Sequence, residues 1–448
     1  MQNLTEGSIF KVLMKLSLPI MASAFLATAY NITDLAWIGS LGSGAVAAVG
    51  VGGMYVWLAQ GLSTLARMGG QVLSAQELGK GNLEESKKYA VASLWIVALF
   101  GLLFGAVCFF FADPLVAFFD LDDAKSIADA KLYLQITCGL TIFSYIGYTL
   151  TGLYTAQGDS QTPLLANFIG LVINMVLDPL LILGVGPFPK LGVVGAAIAT
   201  VFAQIIVMAV LILKIWHPNS NNLLKAAKIF SFPGKKYFQS VFKIGTPAAL
   251  QSMLYCAFSM VLTRMVSGFG DAAIATQRVG GQIESLTWNV AEGFAAALNA
   301  YCAQNYGAGK MDRVKKGFYI SAVSIAVWGS LIGLIFFLFP VGISNIFFHE
   351  PEVLAISVGY LTIIALGEPF MSVEIVSSGA ISGLGNTKIC SILSVIFTGA
   401  RIPMAYLLSH TALGLNGIWW TLTITSILKG FAFVLAFQKE SKKRALTS

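Results

Sequence analysis

A chain of 448 residues that is 56% apolar and only 11% charged, at a mean hydropathy of +0.78, falls outside the range of soluble globular proteins. Its formal net charge of +7 is gathered into short clusters between apolar runs, so it reads as a topology signal and not as the footprint of a nucleic-acid partner. The five cysteines each stand alone in an apolar stretch, which speaks against a disulfide framework or a CxxC metal cage.

Runs long enough to cross a hydrocarbon core of about 30 Å predict an all-α polytopic membrane protein. Twelve transmembrane helices fall at 10–37, 46–72, 87–112, 130–156, 162–184, 192–214, 238–267, 273–301, 314–339, 352–383, 388–410 and 415–437. The first resembles a secretion signal, with Lys11 and Lys15 ahead of Ala22-Ser23-Ala24. Its apolar run continues to Ile38, too long for a signal core, so it is read as a mature helix. Lys80, Lys87 and Lys88 sit between spans two and three. Lys214, Lys225, Lys228, Lys235, Lys236 and Lys243 sit around the connection between spans six and seven. Lys310, Arg313, Lys315 and Lys316 follow span eight, and Lys439, Lys442, Lys443 and Arg444 form the tail. The alternate loops hold acids, as at Asp120, Asp122 and Asp123 or Glu350 and Glu352. The positive-inside rule therefore places both termini in the cytoplasm of a multi-pass inner-membrane protein.

Residues 215–237 carry no span and divide the chain into an N-terminal six-helix bundle, 1–214, and a C-terminal six-helix bundle with a basic tail, 238–448. An internal repeat supports the division. Phe10, Lys15 and Pro19 correspond to Phe238, Lys243 and Pro247; Gly42, Gly52 and Gly53 correspond to Gly270, Gly280 and Gly281. Lys87-Lys88 meets Lys315-Lys316, and Gly158-Asp159-Ser160 meets Gly385-Asn386-Thr387. Two pseudo-symmetric bundles in the same orientation suggest a substrate path between them. The chemistry is not symmetric, because Asp34 overlays Leu262, Gly50 overlays Arg278, and Asp178 falls near Arg401.

A carboxylate in hydrocarbon costs roughly 2.5 to 3.5 kcal/mol on insertion scales unless it faces a cavity or a partner. Asp34 lies in span one and Asp178 in span five. Tyr30 and Asp34 are one helical turn apart, as are Asn174 and Asp178, so each pair shares a face. At similar depth the two acids could share one cavity and exchange a proton; the plainer reading is that each bonds a neighbouring polar group. Pro19 permits a bend in helix 1, although Pro247 repeats it where no acid follows, which suits a fixed packing kink equally well. Arg278 is a cleft charge that either opposes Asp34 or reaches the headgroups. Glu368 and Arg401 are expected to form a neutral pair, and Glu284, Glu292 and Glu374 to be solvated or paired. Met21, Phe25, Asn31, Met54, Trp57, Phe143, Met175 and Met208 could line a site for varied apolar molecules, the alternative being packing or lipid contact. No GxxxxGK[ST] motif and no TVGYG-like filter occur, which removes ATP drive and lowers the prior for a potassium channel. No catalytic set, metal site or cofactor is expected, and the chain is read as a monomer in lipid.

These motifs together resemble the multidrug and toxic compound extrusion (MATE) family, in its DNA-damage-inducible-F-like bacterial branch. The resemblance rests on Pro19 with Tyr30 and Asp34, on the loop Gln157 to Pro163, on Asn174 to Pro179, and on Gly383 to Thr387. It implies an outward-facing V of two six-helix bundles that exports amphiphilic or cationic compounds in exchange for H⁺ or Na⁺. It also implies a coupling site matching Tyr30, Asp34, Asn174 and Asp178, joined by a helix 6 hydroxyl for which Thr200 is the match. The branch's helix 8 arginine is matched by Arg278. Sodium-coupled relatives carry an acid in helix 7; this chain has none between Phe238 and Ser267 and has Arg264 instead, which favours H⁺. The alternatives are sodium coupling, a lipid-linked sugar flippase of the same superfamily, and a sensor or scaffold without transport.

Overall fold

The computed structural model describes residues 3–119, 121, 123–218, 220–225, 227, 229 and 231–446, apart from the side chains of Asn31, Ile32, Leu35 and Ser43. Asp120, Asp122, Lys228 and the side chain of Asn31, named above, therefore lie outside the described residues.

Sixteen helices make up the regular structure among the described residues. In the first half these are α1 (Ile9–Gly39), α2 (Ser43–Gly79), α3 (Leu83–Phe110), α4 (Ala112–Ala117), α5 (Ala124–Thr137), α6 (Ile142–Ala156), α7 (Gln161–Leu183) and α8 (Val193–Trp216). The second half repeats the series as α9 (Lys235–Ser267), α10 (Asp271–Gly307), α11 (Met311–Leu338), α12 (Pro340–Asn345), α13 (Pro351–Ala365), α14 (Glu368–Gly383), α15 (Thr387–Ser409) and α16 (Leu415–Ala445). The repeat read from the sequence is thus matched element for element, down to the short α4 and α12. Its turns correspond too: Gly42 and Gly270, and Gly81 and Gly309, take positive φ, which only glycine adopts without strain.

Nine of these helices are long and apolar enough to span a bilayer singly, and two bent pairs bring the number to eleven. The twelfth expected span is α10, whose 37 residues suffice in length while Arg278, Glu284 and Glu292 dilute its apolar character. The pairs α5–α6 and α13–α14 bend by 46° and 52°, breaks that hydropathy does not register. In the second, Pro369 in the first turn of α14 withholds an N–H and ends the preceding helix.

The chain forms two compact units. The first is built on Leu18–Ala249, the second on Leu4–Ser17 and Leu250–Ser448. Helix α1 therefore passes from the second unit to the first beside Pro19, and α9 from the first to the second beside Pro247. In the first unit Tyr237 of α9 donates its hydroxyl to Glu85, while Val241 and Ala249 enter the apolar cluster with Leu65 and Tyr145. In the second, Leu4–Gly7 is strapped onto the α10–α11 turn. Gln304 accepts from the Leu4 N–H at 3.1 Å, Asn305 donates to the Leu4 carbonyl at 3.1 Å, and Arg313 donates to the carbonyls of Glu6 and Gly7 at 3.2 and 3.0 Å.

Close helix approach in the first unit rests on small residues, as expected where lipid supplies no hydrophobic drive between helices. A Cβ on Gly195 would strike the Leu181 backbone, and one on Gly170 would strike Val207, so α7 and α8 meet nearly backbone to backbone. Ile38, Tyr133, Ile182, Val193, Ala196 and Ala197 close an apolar cluster that ties α1, α5, α7 and α8 together. The candidate site lies against this cluster.

Candidate ion-coupling site

Three helices of the first unit bring the predicted coupling residues together. On α1, the Tyr30 hydroxyl lies 3.0 Å from Oγ1 of Thr200 on α8. On α7, Asn174 and Asp178 are fully buried, and Asn174 donates from Nδ2 to Oδ1 of Asp178 at 3.3 Å. Asp34, one turn beyond Tyr30, acts electrostatically on both Tyr30 and Asp178. Pro179 withholds the N–H that would have bonded the Met175 carbonyl, loosening α7 next to the acid.

The polar balance of this cluster is one-sided. Oδ1 of Asp34, Oδ2 of Asp178 and Oδ1 of Asn174 are buried acceptors with no hydrogen-bond partner among the described residues. An unmet buried acceptor costs about 1–3 kcal/mol. Three acceptor oxygens on two helices suit a species that brings positive charge, either a proton or a hard monovalent cation.

The remaining predicted residues are placed as follows. Pro19 sits inside the continuous helix α1, at the point where that helix changes unit. Arg278 is exposed on α10 of the second unit. Among the lining candidates Phe25, Met54, Trp57 and Met175 are exposed, while Met21, Phe143 and Met208 are half-buried; all belong to the first unit. Tyr133 went unnoticed in the sequence. Tyr133 on α5 is buried and feels both Asp34 and Asp178. Gly52 packs on Tyr133 just as Gly280 packs on Tyr360, each leaving no room for a Cβ.

In the second unit the expected Glu368–Arg401 pair does not form. Both carboxylate oxygens of Glu368 are buried without a hydrogen-bond partner among the described residues. Arg401 instead donates to the hydroxyls of Thr425 at 2.9 Å and Ser426 at 3.3 Å, which α16 presents nearer to it. The buried ion pair of this unit is Glu374–Lys429 at 2.6 Å, and Glu284 accepts from the Tyr360 hydroxyl. Lys429 escaped notice because one lysine within α16 does not interrupt its apolar run.

A multi-pass helical membrane protein with a buried acid cluster in its first unit is the class that these features define. Residues 19–180 and 247–407 match the MatE family model, one copy in each half, and the chain belongs to that family. It is similar to the Thermotoga maritima protein named "Probable multidrug resistance protein NorM", with 26% identity over 98% of this chain and 94% of that one. It is similar also to the Shewanella oneidensis "FAD transporter", with 25% identity over 96% of this chain and 94% of that one. The crystal structure of the Vibrio cholerae MATE transporter VcmN in the bent form shares the fold, with a TM-score of 0.88, 21% identity and 99% of each chain covered.

Proposed function

We propose that this chain is a secondary multidrug exporter that moves amphiphilic, often cationic compounds outward in exchange for protons. The observation that carries the reading is the set Asp34, Asn174 and Asp178, whose single amide donor is spent on one Asp178 oxygen and which leaves three buried acceptor oxygens unpaired among the described residues. A carboxylate in such a set holds a proton or faces a positively charged guest, and exclusive occupancy is what links the two flows. Tyr30 and Thr200 hold one another across α1 and α8, so a change at Asp34 is felt one turn away by a hydroxyl pair. Pro19 supplies the flexible point through which that change could redirect the inner part of α1.

Sodium coupling is the second reading, because the same oxygens are hard-cation ligands. The deciding experiment is dye efflux from proteoliposomes under separately imposed gradients. Efflux driven by a pH gradient in sodium-free buffer supports the proton reading; efflux that needs sodium with the pH gradient collapsed sinks it. A flavin dinucleotide arm belongs in the same assay, since one similar protein is named for that cargo. Flavin efflux to the exclusion of cationic dyes would replace the multidrug assignment.

A further inference from the structure

We propose that the first unit holds a pocket for a phosphate-bearing headgroup where three of its spanning helices end. The loop Gln157 to Pro163 plays no part in the acid cluster, yet it builds one wall of a cavity of 220 Å³. That volume equals roughly seven waters at their share of the liquid.

The cavity is held in shape by its surroundings. After α6 the chain turns at Gly158 with φ 78°, and Asp159 accepts from the N–H and Oγ1 of Thr162 at 3.0 and 2.7 Å as α7 begins. The buried Gln157 carboxamide donates to the Leu153 carbonyl at 3.0 Å and accepts from the Leu223 N–H at 2.7 Å. Leu223 and Leu224 drop into the apolar cluster of Tyr154 and Leu211 and so anchor the wall at Asn222. Asn222 lines the cavity and accepts from the Leu224 N–H at 2.9 Å.

Its charge is divided. Lys214, in the last turn of α8, and His217 line the cavity, and so does Asp159. Lys214 makes no ion pair among the described residues. Asp159 is already engaged with Thr162 but retains its negative charge. A phosphate suits the Lys214 ammonium, and an ammonium or hydroxyl suits Asp159, which together describe an ethanolamine-type headgroup. Basic pockets between the ends of spanning helices are where lipid headgroups are recognised. A soluble phosphoester presents the same groups, so the source has to be separated by experiment.

The test uses the full-length protein in detergent, with binding read by native mass spectrometry and by the thermal midpoint. The probes are phosphatidylethanolamine, phosphatidylglycerol, soluble phosphoethanolamine and inorganic phosphate. Wild type is expected to retain phosphatidylethanolamine, with binding about fivefold weaker in Lys214→Gln. Lys439→Gln, an exposed lysine on α16 of the second unit, leaves it unchanged. Asp159→Asn narrows the preference for ethanolamine over glycerol. Tight binding of phosphoethanolamine that is lost in Lys214→Gln keeps the site and assigns it to a soluble phosphoester. Equal binding of every probe by wild type and by Lys214→Gln overturns the proposal. Lys214→Arg keeps binding, which separates loss of charge from loss of fold.

Discussion

Asn174 spends its one observed side-chain hydrogen bond on Asp178, one turn along α7, and leaves the second oxygen of that carboxylate buried without a partner. The amide therefore half-satisfies the acid. Asn174→Ala should leave Asp178 with no donor and cost about 1–3 kcal/mol. Asp178→Asn added to it should recover most of the loss, since the uncompensated group is then gone. Unfolding of the purified variants checks this; strictly additive effects would mean that the two side chains do not interact.

Asp34→Asn keeps the shape of α1 and removes the charge. The expected outcome is pH-driven efflux reduced to the background of empty proteoliposomes, with yield and membrane insertion as in wild type. Thr200→Val breaks the contact with Tyr30 and should slow efflux without abolishing it. Full efflux by Asp34→Asn would remove that acid from the mechanism.

The Glu374–Lys429 pair is almost wholly buried at 2.6 Å. Breaking such a pair from one side strands a charge and costs about 3–5 kcal/mol. Lys429→Met should thus lower the yield of folded protein sharply, and adding Glu374→Met should restore it. Retention of stability by Lys429→Met alone would show that Glu374 finds another partner.

Asp123 caps α5, accepting from the N–H and Oγ of Ser126, both at 2.9 Å, and these bonds hold its carboxyl below the usual range. A lowered carboxyl value contributes stability that is present at neutral pH and is lost as the pH falls through the folded value. Asp123→Ala should therefore lower the thermal midpoint at pH 7, with the gap to wild type closing on acidification. A gap that is independent of pH would assign the effect to packing.

Much of the fold was legible because the lipid environment leaves so few options. Apolar runs marked the spans, and correspondences such as Gly42 with Gly270 marked the halves. The bends after Thr137 and Ala365 were not legible, because hydropathy is insensitive to a broken helix. The acid cluster could be read since a carboxylate stands out against an apolar run and Tyr30 and Asn174 lie one turn from one. Partner choice could not: Arg401 and Glu368 share an approximate depth, and only the rotation of α15 and α16 decides that the guanidinium meets Thr425 and Ser426. Tyr133 was hidden for the same reason, its nearness to the acids being a matter of packing across helices.

The passage of α1 and α9 from one body to the other has a consequence for how the molecule is made. When the sixth span leaves the ribosome, the first body still lacks Tyr237, Val241 and Ala249, which complete its apolar centre. The second body in turn depends on Leu4 to Ser17, synthesised at the very start and kept waiting until its other parts arrive. A gene cut in the connection at 215–237 would yield two fragments that each lack a piece of the body they must become.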